Sequence, residues 1–158
     1  SEMCIRDSSM AVGLGLGAKQ LKKPWKTVCL MGDGECCEGS VWEAAMSAAH
    51  FKLDNIVGIV DRNRLMIDGC TEDVMALEPF ADKWRAFGWN VIEVNGHDLD
   101  ELDCALDAAW KAEGKPTLIL ANTVKGKGVD FMENNVVYHY ASGDSALCEK
   151  AKASIMRG

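Results

Sequence analysis

Four short apolar runs, separated by stretches with helical periodicity, constrain this fold more than any other feature of the sequence. The second run, NIVGIV at 55–60, is β-branched and has no polar alternation, which is typical of a strand buried on both faces of a sheet. The four predicted strands are 26–31, 55–60, 90–94 and 117–123. The predicted helices are 10–22, 38–53, 80–87, 99–112 and 145–156. Strands that alternate with helices predict an α/β fold: a parallel β-sheet flanked by helices.

Length and charge narrow the class of protein. The chain has 158 residues, the size of one domain, and carries 17 Lys and Arg against 24 Asp and Glu. The net charge of −7 repels nucleic acid and anionic membranes, so we expect neither as a partner. No apolar run is long enough for a membrane span or a signal peptide. Seven cysteines without zinc-ligand spacing are typical of reduced thiols, so we expect a cytoplasmic protein.

Polar residues follow the first two predicted strands, where parallel sheets bind their ligands. Asp33 follows the first run, between Gly32 and Gly34, and Asn63 follows the second run, one helix and one strand later. A carboxylate and an amide oxygen suit a hard cation such as Mg²⁺ or Ca²⁺. The glycines would let a phosphate approach the backbone closely. On these residues alone, a surface turn followed by an unrelated loop asparagine remains an equally open interpretation.

The Gly-Asp-Gly sequence followed by an asparagine about thirty residues later resembles the cofactor motif of thiamine diphosphate-dependent enzymes. The longer strings GDGECCEG at 32–39, WEA at 42–44 and DRNRLMIDG at 61–69 are similar to the cofactor domain of transketolase. The similarity is greatest to the N-terminal subunit of transketolases made as two chains. Further matching segments are FGW at 87–89, NGHD at 95–98 and TVKGKG at 123–128. The resemblance covers about residues 9–139.

The resemblance implies a transferase that moves a two-carbon ketol unit between ketose and aldose phosphates. Its cofactors would be thiamine diphosphate and Mg²⁺ or Ca²⁺. A C-terminal pyrimidine-binding transketolase subunit would be the partner, in a dimer or heterotetramer, because the glutamate that activates the cofactor belongs to that subunit in the family. The chain alone is therefore expected to be inactive.

The resemblance also assigns roles to individual residues. The expected metal ligands are the side chains of Asp33 and Asn63 and the backbone carbonyl of Leu65. The expected cofactor-binding residues are Gly32, Asp33, Gly34, Asn63, Lys125 and His139, with the Gly34 N–H directed to the diphosphate. The expected catalytic residues are His139, beside the diphosphate, and Glu38, at the dimer interface.

Three of these assignments have simpler alternatives. Glu38 could serve only to stabilise a helix N-terminus. His139 is followed by Tyr140 where the family has glycine, so it could be an ordinary loop imidazole. Lys125 could belong to a solvated turn. Outside the site, His97 and Asp98 are expected to cap the helix that follows them.

The ends of the chain depart from the family pattern. Residues 1–8 match nothing in it and are expected to be foreign, 9–140 form the diphosphate- and metal-binding domain, and 141–158 form a divergent C-terminal helix. We therefore expect a truncated domain, incomplete at its N-terminus. Two other thiamine enzymes, 1-deoxy-D-xylulose-5-phosphate synthase and a 2-oxo-acid dehydrogenase subunit, share the Gly-Asp-Gly and asparagine pattern, although the EGSVWEA run favours transketolase. A metal-binding α/β interaction module is the alternative without enzymatic activity.

Overall fold

The helices and strands follow the predicted alternation across the residues that the computed structural model describes, 6–140 and 143–157. In chain order the elements are α1 Asp7–Gln20, β1 Thr27–Gly32, α2 Gly39–His50, β2 Ile56–Arg62, β3 Leu65–Met66, β4 Gly69–Cys70, α3 Thr71–Val74, α4 Phe80–Ala86, β5 Asn90–Asn95, α5 Leu99–Lys111, β6 Thr117–Asn122 and α6 Ser145–Ile155. Short 3₁₀ turns cover Gly34–Cys37 and Val136–Tyr140. The four strands and five helices predicted from the sequence are all present, so those predictions are confirmed.

The main sheet is parallel throughout and has the strand order β1-β2-β6-β5. The α/β prediction is thereby confirmed. The central strands β2 and β6 are the most buried, and Val57, Val60, Leu118 and Ile119 are fully buried. Since β1 lies beside β2 and Gly32 pairs with Asp61, the carboxyl ends of these two strands lie side by side.

Helices cover both faces of the sheet. On one face α1, α2 and α4 enclose a core that includes Phe80, Trp84 and Trp89. On the other face α5 packs Ala105 and Ala109 against β2, β6 and β5. The edge strand β1 is less well covered, and its side chains Val28 and Leu30 are exposed.

The sequence predictions fail at two local points. The hairpin of β3 and β4 was not predicted, because two-residue strands are too short to show an alternating pattern. Asp98 caps α5 as expected, with its carboxylate accepting the N–H groups of Asp100 and Glu101. The prediction for His97 is wrong: its Nε2 accepts the Val124 N–H at 2.8 Å, because Asp98 already holds the capping position.

The predicted foreign segment 1–8 is described only in part. Residues 1–5 lie outside the described residues, and α1 begins at Asp7. Residues 141, 142 and 158 of the predicted C-terminal segment also lie outside them. Among the helices that the structure describes, none is both long and apolar enough to cross a bilayer.

Candidate functional site

A cavity of about 580 Å³ opens at the carboxyl ends of β1 and β2. Three segments line it: the turn after β1, the β2 end with the β3–β4 hairpin, and the long segment after β6. All predicted site residues lie on its wall, namely Gly32, Asp33, Gly34, Glu38, Asn63, Leu65, Lys125 and His139. The structure adds three acidic residues that were not predicted, Glu35, Asp61 and Asp68. Residues that are distant in the sequence thus meet at one edge of the sheet, as the topology requires.

Asp33 lies at the base of this cavity and is only 1% exposed. Its Oδ1 accepts the Gly34 N–H at 2.8 Å. Its Oδ2 accepts the Arg64 N–H at 2.6 Å and Nη1 of Arg62 at 3.1 Å. A carboxylate offers about four acceptor positions, two on each oxygen. Three of them are filled here, so the open position is on Oδ1.

The Gly34 N–H that the resemblance assigns to a diphosphate is therefore occupied in this structure. It donates to Asp33 instead, and the Gly32 N–H donates to Oε2 of Glu35 at 3.3 Å. The two glycines also differ in their surroundings. A Cβ on Gly32 would meet no atom within 4 Å, whereas a Cβ on Gly34 would lie 3.0 Å from Cβ of Met66. Gly32 keeps the cavity open, and Gly34 lets the hairpin pack against the turn.

Two further oxygens come from the segment that follows β2. Oδ1 of Asn63 accepts the Leu65 N–H at 3.0 Å, which fixes the turn into β3. The Thr71 N–H donates to the Arg64 carbonyl at 3.0 Å, so Arg64 and Thr71 stand at a hydrogen-bonded pair position of the ladder, although the Arg64 N–H itself donates to Asp33. Such pairs alternate with non-bonded pairs in an antiparallel ladder, so the next pair, Leu65 with Cys70, is non-bonded. The Leu65 carbonyl is thus not used by the hairpin.

Lys125 and His139 form a second wall of the cavity, contributed by the segment after β6. A tight loop positions Lys125: its carbonyl accepts the Asn134 N–H at 3.0 Å, and Gly126 has φ +75° with no room for a Cβ beside Met132. Nδ1 of His139 is buried and has no hydrogen-bond partner among the described residues. Burial, and then the Lys125 charge, lower the pKa of His139. The imidazole is therefore neutral at pH 7.

Two glutamates stand near the start of α2. Glu38 is exposed at the N-cap of α2, and its side chain makes no capping hydrogen bond. Burial raises the pKa of Glu35, partly offset by the hydrogen bond from the Gly32 N–H. Glu35 lies within the motif that pointed to this site, yet nothing in the sequence separated it from an ordinary solvated acid.

The donor set suits a hard cation that is held jointly with a phosphate group. A carboxylate oxygen, an amide oxygen and a backbone carbonyl oxygen are ligands that Mg²⁺ and Ca²⁺ accept. Mg²⁺ commonly takes one or two protein carboxylates and completes its octahedron with phosphate oxygens and water. Among the described residues no group of three or more His, Cys, Asp or Glu side chains is arranged to hold a metal. The residues present therefore fit a cation bound together with a diphosphate, not one enclosed by protein alone.

Fold and cavity together define an α/β domain with a cavity beyond the carboxyl ends of its parallel strands. The family model for the thiamine diphosphate binding domain of transketolase matches residues 18–155. The chain belongs to the transketolase family, as the thiamine diphosphate-binding domain, and the resemblance seen in the sequence is confirmed.

Curated relatives agree with this assignment. One of the subunits of the apulose-4-phosphate transketolase of Phocaeicola vulgatus is 45% identical over 143 residues, which are 90% of this chain and 51% of the relative. The 6-deoxy-6-sulfo-D-fructose transketolase subunit SqwG of a Clostridium species is 45% identical over 131 residues, 83% of this chain and 48% of the relative. The chain thus spans about half the length of these relatives.

Solved structures show the same fold. Transketolase from Campylobacter jejuni superposes with a TM-score of 0.86 at 32% identity, covering 96% of this chain and 24% of that one. Transketolase from Pichia stipitis, in a complex with fructose 6-phosphate, superposes with a TM-score of 0.82 at 26% identity, covering 97% of this chain and 24% of that one.

Proposed function

We propose that this chain provides the diphosphate- and metal-binding half of a transketolase that transfers a two-carbon ketol unit between a ketose and an aldose. The observation that carries the proposal is the meeting of all predicted site residues on one cavity at the carboxyl ends of β1 and β2. The curated relatives are named as single subunits of their transketolases, which supports a separate pyrimidine-binding partner subunit in a dimer or heterotetramer. The six described cysteines are free thiols, which supports a reducing, cytoplasmic setting.

Within this proposal the sheet edge holds the cation. Mg²⁺ or Ca²⁺ would be bound by the Asp33 carboxylate through the open position on Oδ1, by the side chain of Asn63 and by the Leu65 carbonyl. Gly32 leaves room for the cofactor beside the cation. Bound thiamine diphosphate supplies the nucleophilic carbon that accepts the two-carbon unit.

The second wall, formed by Lys125 and His139, would bind the anionic parts of cofactor and substrate. Lys125 would offset diphosphate charge, which matters in a chain of net charge −7. His139, neutral and with Nδ1 unpartnered among the described residues, can hydrogen-bond a phosphate or a substrate hydroxyl. Glu38 is exposed at the start of α2, which supports its proposed contact with a partner subunit.

The substrate class is a ketose donor and an aldose acceptor that carry an anionic group. The relatives' names mention both a 4-phosphate sugar and a 6-sulfo sugar. Sugar phosphates are therefore the first substrates to assay, once a partner subunit is present.

Calorimetric titration of the chain with thiamine diphosphate in the presence of Mg²⁺ tests the proposal. We expect Mg²⁺-dependent heat from the wild type that Asp33→Asn abolishes. The matched control is Asp68→Asn, which removes the same charge from an exposed residue of the same cavity and should bind like the wild type.

Equal heats from Asp33→Asn and Asp68→Asn would refute the metal assignment. Turnover of a ketose phosphate by the chain alone would refute the need for a partner. Magnesium binding that ignores thiamine diphosphate would instead support a metal-binding interaction module.

A further inference from the structure

A buried arginine that the sequence analysis did not single out joins the cavity to the segment that follows the hairpin. Arg62, the last residue of β2, has a side chain only 1% exposed. Its Nη1 donates to Oδ2 of Asp33 at 3.1 Å and to Oγ1 of Thr71 at 2.8 Å. Its Nη2 donates to Glu72 at 3.0 Å and to Glu78 at 2.9 Å. The guanidinium also lies over the ring of Phe80, 5.4 Å from its centroid. The two terminal nitrogens of the planar, forked guanidinium, Nη1 and Nη2, are thus each fixed by different partners.

The first consequence concerns geometry. Arg62 and the Arg64 N–H fill both acceptor positions of Oδ2, so the Asp33 carboxylate cannot rotate without breaking buried hydrogen bonds. Oδ1 is left as the oxygen with an open position. A lysine could not reproduce this arrangement, because its single nitrogen cannot span the distance between Asp33 and the two glutamates as a planar fork does.

The second consequence concerns charge. A guanidinium next to a metal-binding carboxylate weakens cation binding if its charge acts on the carboxylate alone. Here Arg62 is paired with three carboxylates, those of Asp33, Glu72 and Glu78. The Phe80 N–H and Arg62 lower the pKa of Glu78, and Arg62 likewise lowers that of Glu72, so both acids are charged at neutral pH. The negative charge of Asp33 therefore remains available to a divalent cation.

We propose that Arg62 is a positioning residue for the cation site: anchored by Glu72 and Glu78, it fixes the Asp33 carboxylate so that Oδ1 is presented to a divalent cation. The inference rests on the proposed function, since it takes Asp33 as a metal ligand. It adds that residues 72 and 78, outside the motifs of the family resemblance, control the affinity and selectivity of that site.

The test uses Mn²⁺ as a spectroscopic probe, with free Mn²⁺ followed by electron paramagnetic resonance in the full chain with thiamine diphosphate. Arg62→Lys keeps the charge and removes the fork, and we expect the Kd for Mn²⁺ to rise about 10-fold, as for other residues that orient metal ligands. The matched control is Arg85→Lys, since Arg85 forks between Asp82 and Glu93 on the exposed surface. Glu78 is half-exposed, so Glu78→Gln should raise the Kd for Mn²⁺ by less. Its control is Glu93→Gln, which should leave the Kd unchanged.

Competition of Mg²⁺ and Ca²⁺ against Mn²⁺ separates positioning from general support of the fold. Mg²⁺ demands near-octahedral geometry, whereas Ca²⁺ tolerates irregular sites. Because Arg62→Lys would leave the Asp33 carboxylate free to rotate, the affinity of the site for Mg²⁺ should fall more than its affinity for Ca²⁺. Equal weakening for both ions would overturn the positioning role.

The remaining outcomes distinguish this inference from the proposed function. If Asp33→Asn abolishes Mn²⁺ binding while Arg62→Lys and Glu78→Gln bind it as the wild type does, only the inference about Arg62 is refuted. If the wild type binds no Mn²⁺, or Asp33→Asn binds it normally, the proposed function itself is refuted. Should Arg62→Lys not fold, Glu78→Gln decides: an unchanged Kd overturns the proposal.

Discussion

The two walls of the cavity are built differently. The sheet wall, made of Asp33, Asn63 and Leu65, is held by hydrogen bonds from the Arg64 and Leu65 N–H groups and by the buried ion pair between Asp33 and Arg62. The loop wall, made of Lys125 and His139, comes from the segment after β6 and leaves Nδ1 of His139 without a partner among the described residues. The sheet wall thus has its geometry before any ligand arrives. The loop wall keeps polar groups available to a ligand.

The largest expected difference between the walls is in stability. Asp33→Ala removes the buried partner of Arg62 and an acceptor of the Arg64 N–H. Because the Arg64 N–H and one N–H of the buried Arg62 guanidinium are then left without an acceptor, we expect the free energy of unfolding to fall by about 3 kcal/mol. His139→Ala removes a side chain whose Nδ1 has no partner among the described residues, and we expect a change within about 0.5 kcal/mol. Urea unfolding of both variants without cofactor measures the two effects.

Equal losses from the two variants would contradict the distinction between the walls. A large loss from His139→Ala alone would reverse it, and would mean that the segment after β6 stabilises the fold more than the Arg62 network does.

A smaller difference should separate the two glycines of the sheet wall. Neither Gly32 nor Gly34 has a positive φ, so the backbone tolerates alanine at both positions. In Gly34→Ala the new Cβ lies 3.0 Å from Cβ of Met66, and shifting the hairpin should cost about 1 kcal/mol of unfolding free energy. In Gly32→Ala the Cβ enters open space, so the stability should stay within about 0.5 kcal/mol while cofactor binding weakens.

Urea unfolding and calorimetric titration of both variants check this prediction. Undiminished thiamine diphosphate binding by Gly32→Ala would show that the cofactor does not occupy the space beside Gly32. Gly34→Ala as stable as the wild type would show that the hairpin adjusts freely to the turn.

The contrast between the walls also explains what the sequence could predict. Continuous apolar runs located β1 and β2, and the rule that parallel sheets bind ligands at their carboxyl ends predicted that Asp33 and Asn63 line one site. Leu65 and His139 were reached only through the family resemblance, because a backbone carbonyl and a lone histidine carry no local pattern.

Arg62 could not be found from the sequence in either way. Its partners Glu72 and Glu78 are separated from it by the β3–β4 hairpin, whose strands are too short for periodicity to show. An ion pair between such residues depends on how the hairpin folds back. The state of Asp33 was hidden for the same reason: the motif marks it as a ligand, but three donors, of which only Arg62 is buried, decide which oxygen is open.

The smallest effect concerns the ionisation of the loop wall. Burial and the Lys125 charge lower the pKa of His139 below its ordinary value of about 6.5. Lys125→Met removes the charge, so the pKa of His139 should rise toward that value. A depressed histidine pKa means that the neutral form adds stability above the unfolded-state pKa, and that this stability is lost as pH falls through the folded-state pKa. The variant should therefore lose less stability than the wild type as the pH falls below about 6.5.

Proton NMR titration of the His139 ring, assigned with His139→Gln, measures this pKa in the wild type and in Lys125→Met. Lys127→Met is the matched control. Nζ of Lys127 lies 3.7 Å from Oε1 of Glu133, so its charge is partly neutralised, and Lys127 does not contribute to the lowered pKa of His139. We expect Lys125→Met to move the titration midpoint upward and Lys127→Met to leave it nearly in place. Equal shifts in the two variants would mean that the overall charge of the loop, not the position of Lys125 in the cavity, sets the ionisation of His139. The charges of the loop wall would then not act from fixed positions, unlike those of the sheet wall.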